Sequence, residues 1–95
     1  MSDTKRCVHV IVSGRVQGVY FRAWTNQQAM SLGLDGWVRN RCDGSVEAVI
    51  DGSAAGVARM LDLLADGPPD ARVETVEILS EGGSAPCGFS VRPTL

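Results

Sequence analysis

Two alternating runs, joined by an Asp-Gly pair and flanked by a helical stripe on each side, constrain this chain more than any other feature. Residues 34–41 and 46–51 alternate in polarity, and Asp43-Gly44 lies between them, so they read as a β-hairpin. In the first run Gly36, Val38 and Asn40 share one face, and Trp37, Arg39 and Arg41 share the other. Upstream, Phe21, Trp24, Thr25, Gln28, Ala29 and Leu32 recur at helical spacing, and Gly33 stands at the C′ position. Downstream, Ser53 is a natural N-cap for a helix with the stripe Val57, Met60, Leu61 and Leu64. Gly67-Pro68-Pro69 ends that helix.

The outer segments complete the order. Residues 7–13, CVHVIVS, form a β-branched strand, with Val8, Val10 and Val12 on the core face and Cys7, His9 and Ile11 opposite. A lone histidine there reads as a surface or packing residue. Residues 72–79 form a less regular strand, and the run EGGSAP leads to a last short strand near 88–92. A parallel doubly wound chain would alternate strand and helix strictly. The hairpin breaks that alternation and gives strand, helix, strand, strand, helix, strand. The expectation is an α+β fold, the ferredoxin-like split βαβ (βαββαβ) sandwich. Both helices would cover one face of an antiparallel sheet of four to five strands. At 95 residues and 44% apolar content, residues 1–95 make a single domain, with 1–5 expected to be flexible.

Charge narrows the partners. The formal net charge is −2, against the basic face that nucleic-acid binding needs. Eight of the nine basic residues are Arg and only Lys5 is Lys, for which codon usage in a GC-rich genome is the plain explanation. The apolar run CVHVIV is too short for a signal peptide or a membrane span, so a cytoplasmic protein with no membrane partner is expected. Cys7, Cys42 and Cys87 are odd in number and widely spaced, which reads as three reduced thiols.

The chemistry concentrates between the first strand and the first helix. Gly14 and Gly18 let the backbone curl where a helix start leaves N–H groups unpaired and a positive dipole end. A phosphate bound there would need no metal to hold it. Arg22 follows at the start of the helix, where its planar fork reaches the same anion. Tyr20 is expected outward at the mouth and Phe21 inward as an anchor. The nucleotide loop G-x-x-x-x-G-K-[ST] is absent, because Val19 and Tyr20 follow Gly18. Cysteine-phosphatase spacing is absent too, since Ser13, Ala48 and Pro93 stand six residues after the three cysteines. Asn40 admits two readings. It is an edge-strand amide bonded to backbone or water, or an amide that positions a water beside a bound phosphate.

Two segments, VSGRVQGVYFR at 12–22 and GWVRNRCDGSVEAVIDG at 36–52, resemble the two signatures of acylphosphatases. The likeness extends over essentially the whole chain and is least diagnostic at 80–87. It implies hydrolysis of carboxylic-phosphoric anhydrides to a carboxylate and inorganic phosphate, on a ferredoxin-like fold, with no cofactor. By position it implies that Arg22 is the phosphate-binding catalytic arginine and Asn40 the water-orienting asparagine. The backbone cradle would be Arg15, Val16, Gln17, Gly18 and Val19. Preorganised donors are the main requirement for a loose phosphoryl transition state with a good leaving group. No general base is evident, which leaves a substrate phosphate oxygen to take the water's proton.

Other readings stay open on the residues alone. Ferredoxin-like domains also bind RNA or small ligands, and Trp37 beside Arg39 and Arg41 is a small aromatic-basic patch. Acylphosphatase-like modules also occur in carbamoyl-transfer enzymes; the ends at Met1 and Leu95 favour a free-standing enzyme, and a monomer is expected. A metal or small-molecule sensor lacks a ligand cluster, with one His and no close Cys pair.

Overall fold

The computed structural model describes residues 4–95. Seven elements follow in order: β1 (Lys5–Arg15), α1 (Phe21–Ser31), β2 (Asp35–Asn40), β3 (Val46–Ser53), α2 (Ala54–Asp66), β4 (Arg72–Glu81) and β5 (Phe89–Val91). The flexibility expected for 1–5 falls mainly outside the described residues, and Lys5 is the first residue of β1.

The strands form one sheet in the order β4-β1-β3-β2-β5. The β1/β3, β1/β4 and β2/β3 pairs are antiparallel, as the split βαβ pattern requires. One detail departs from the expected antiparallel sheet: β5 lies parallel to β2. The cause is the route of the chain. Strand β4 ends at one edge, and residues 82–88 carry the chain to the other edge. There a strand running opposite to β4 has the direction of β2. The crossing is bonded along one row of the sheet. Gly82 N–H donates to Cys7 O (2.8 Å), Ala85 N–H to Asp51 Oδ2 (2.9 Å) and Gly88 N–H to Asp35 Oδ1 (2.8 Å). Cys7, Asp51 and Asp35 are register neighbours on β1, β3 and β2.

The helices bury their expected stripes against this sheet. Phe21, Thr25 and Ala29 of α1 and Val57, Met60 and Leu64 of α2 are buried, packed with Val8, Val10 and Val12 of β1. Removing the Phe21 ring from such a site would cost about 3–5 kcal/mol. At the end of α1, Gly33 N–H donates to Met30 O and Leu34 N–H to Ala29 O, a Schellman ending with Gly33 at C′. Ser53 caps α2 by accepting from Gly56 N–H at 3.0 Å. The outer face of β1 is also covered at Cys7 and Ile11, whereas Ile78 and Leu79 on edge strand β4 are exposed. No helix among the described residues is long and apolar enough to cross a membrane.

Candidate active site

The segment after β1 turns sharply twice. Gly14 has φ +122°, and a Cβ there would stand 2.2 Å from Arg72 O on the neighbouring strand, so only glycine fits. Gly18 has φ +73° with open space around it, so backbone conformation alone demands glycine. Tyr20, at φ 68°, is the non-glycine residue in the left-handed region and forms the N-cap of α1. A tyrosine held there is strained backbone at a helix start, the kind of local cost found at binding sites. No side chain caps this helix start. Among the described residues, the N–H groups of Gln17, Gly18, Val19 and Tyr20 donate to no backbone carbonyl.

Beside this turn lies a pocket of about 280 Å³ lined by Val16, Gly18, Tyr20, Phe21, Arg22, Ala23, Asn40 and Val91. Three distant segments meet there: the loop with the first turn of α1, the end of β2, and β5. Arg22 is half-buried on the lining, and no ion pair among the described residues involves it. Asn40, the last residue of β2, shares the lining with Arg22. Tyr20 is 67% exposed at the rim and Phe21 only 2%, the outward and inward placements expected.

The cradle residues divide. Val16 and Gly18 line the pocket. Arg15 ends β1, paired with Arg72 of β4, and Val19 is buried in the core. Gln17 turns its side chain to the β2–β3 turn, where it donates to Arg41 O at 2.7 Å and Ser45 O at 2.8 Å. Ala23 and Val91 escaped the sequence reading. Ala23 is small and unremarkable in a helical stripe, and Val91 reaches the site only because β5 docks on the outer edge of β2.

The opposite face of the sheet holds a second polar group. Buried Glu47 accepts from Arg39 Nε at 2.7 Å and pairs with His9 Nε2 at 2.5 Å. Burial pushes the Glu47 carboxyl up, but the bonds from Arg39 and His9 outweigh it and hold the group below the ordinary carboxylate range. Arg39 and Arg92 lie over the Trp37 ring at 4.9 and 4.7 Å from its centroid. His9 is thus a packing residue with a carboxylate partner.

The acylphosphatase family model matches residues 8–91. The chain belongs to the acylphosphatase family. An acylphosphatase of Rhizorhabdus wittichii is 50% identical over 95% of this chain and 89% of its own length. One from a Synechococcus strain is 50% identical over the full length of both. The crystal structure of acylphosphatase from Bacillus subtilis superposes with a TM-score of 0.85 at 32% identity, covering 94% of this chain and 99% of that one. Membership makes the protein a hydrolase that splits acyl phosphates into a carboxylate and inorganic phosphate. The ferredoxin-like fold of these relatives agrees with the architecture described above.

Proposed function

We propose that the pocket beside Gly18 is the catalytic centre, with the phosphoryl group held by the N–H groups of loop 15–19 and by Arg22. Water attacks phosphorus with its position set by the Asn40 amide. The phosphorus–oxygen bond to the acyl group breaks, the carboxylate leaves with the electron pair, and the water's proton passes to a phosphoryl oxygen. The observation that carries this reading is the convergence of Gly18, Arg22 and Asn40 on one pocket from segments far apart in the chain. Positive potential comes from a helix start and a guanidinium that pairs with no carboxylate among the described residues. Such fixed donors stabilise developing charge without reorganising. The mechanism on this reading needs no metal.

The protein is taken to act as a cytoplasmic monomer with no nucleic-acid or membrane partner. The net charge of −2 and the short apolar runs support the exclusion of those partners. The direct test is hydrolysis of benzoyl phosphate in the presence of EDTA, with inorganic phosphate as inhibitor. Full activity with EDTA and competitive inhibition by phosphate are expected. Loss of activity with EDTA, or inhibition that is not competitive, would overturn the reading.

A further inference from the structure

We infer that Gln17 is a positioning residue: its side-chain amide fastens the phosphate loop to the β2–β3 turn and so sets where Asn40 stands relative to Arg22. This rests on the roles proposed above for Arg22 and Asn40. The side chain of Gln17 is absent from the pocket lining and reaches the hairpin instead. Its Nε2 donates to two carbonyls, Arg41 O at 2.7 Å and Ser45 O at 2.8 Å, across 24 and 28 residues of sequence. Both acceptors are carbonyl oxygens, so the NH2 end of the amide must face them, and it has two hydrogens to give.

Those two carbonyls are the ones that close the hairpin. Ser45 O also accepts from Arg41 N–H at 2.9 Å, and Arg41 O from Gly44 N–H at 3.2 Å. The turn is shaped from within by Asp43, whose Oδ1 accepts from Ser45 N–H at 2.9 Å and from Ser45 Oγ at 2.5 Å. These bonds hold the Asp43 carboxyl below its ordinary range. Asn40 is joined directly to Arg41, so its backbone is one residue from the clamped carbonyl. Among the described residues, no backbone hydrogen bond links 16–20 to 41–45. Gln17 is therefore the polar link between the half of the site that grips phosphate and the half that carries Asn40.

A clamp of this kind has a kinetic signature distinct from a structural one. Without Gln17 both carbonyls keep a hairpin donor, so neither is left unpaired and the cost in stability is small. Alignment suffers more, because a displacement of about 1 Å in a catalytic group can cost on the order of 10²-fold in rate. Gln17→Met keeps the length and removes the donor. On benzoyl phosphate it should lower kcat by roughly 10-fold or more, with a smaller change in the inhibition constant of inorganic phosphate. In an Asn40→Ala background the same substitution should cost little further, since no Asn40 amide remains to be misplaced. Three results would overturn the inference: kcat within about 2-fold of wild type, a cost undiminished in the Asn40→Ala background, or phosphate inhibition weakened as much as kcat. Asn40→Ala with wild-type kcat would instead remove the underlying reading, which separates the two failures. Should Gln17→Met not fold, Asp43→Ala loosens the same turn from the other side. A kcat lowered with phosphate inhibition unchanged supports the clamp, and an unchanged kcat overturns it.

Discussion

Arg22 and Arg39 carry the same guanidinium on opposite faces of the sheet, and their surroundings differ in one decisive respect. Arg39 is committed within the protein: it donates to buried Glu47 at 2.7 Å and covers Trp37. Arg22 lines a pocket next to a helix start and enters no ion pair among the described residues. A charge gains from a counterpart in proportion to how far it is removed from water. For Arg39 the fold supplies it. For Arg22 the proposed counterpart is the substrate's phosphoryl group. Among eight arginines, the absence of an ion pair alone does not single out Arg22; its place on a pocket lined also by Gly18 and Asn40 does.

That contrast can be broken by experiment, the largest effect first. Arg22→Ala should reduce turnover of benzoyl phosphate by on the order of 10³-fold, as for other arginines that stabilise a transferring phosphoryl group. Arg22→Lys should also be poor, because a point charge cannot form two parallel bonds. Near wild-type kinetics in Arg22→Ala would end the distinction between the two arginines. Asn40→Ala should come next, with kcat lowered by about 10²-fold, the scale of losing one preorganised donor. Phosphate inhibition should then stay nearly unchanged; lost inhibition with kcat intact would reassign Asn40 to binding.

Arg39→Ala sharpens the other side. It leaves Glu47 buried with one donor fewer, and thermal or denaturant unfolding should show a loss of about 1–3 kcal/mol. Turnover should change far less than in Arg22→Ala. The smallest effect is in pH dependence. Glu47 titrates lower in the folded protein than its ordinary 4.5, so the folded state binds fewer protons at this site. Its contribution to stability is therefore present above that value and is lost as pH falls through the lower folded value. Glu47→Gln should flatten the acid limb of a stability–pH curve; an acid limb as steep as wild type would show that other carboxylates set it.

Local periodicity made most of the fold readable. The valines at 8, 10 and 12, the Phe21–Ala29 stripe, the Ser53 cap and the Asp43-Gly44 turn each depend on neighbours a few residues away, and each appears where the pattern puts it. Backbone curl and a helix start marked Gly14, Gly18 and Arg22 locally, whereas Asn40 stood out only through the resemblance; Gly18, Arg22 and Asn40 line one pocket. Pairings across long stretches of sequence were not. Nothing near Gln17 marks Arg41 and Ser45 as its partners, nothing near Glu47 marks His9, and Ile11 is covered despite lying on the face expected to be open.

By itself, then, the chain's sequence determined which segments are strands and helices and which of their residues face the core between helices and sheet. Tertiary structure alone decided that β5 runs parallel to β2 and brings Val91 to the pocket. It alone decided that Arg39 pairs with Glu47, that Arg22 and Asn40 line one pocket, and that the Gln17 amide reaches Arg41 O and Ser45 O. The physical reason is one of range. Propensity, alternation and capping act over a few residues, whereas charge pairing and alignment depend on distances that only the closed sheet establishes.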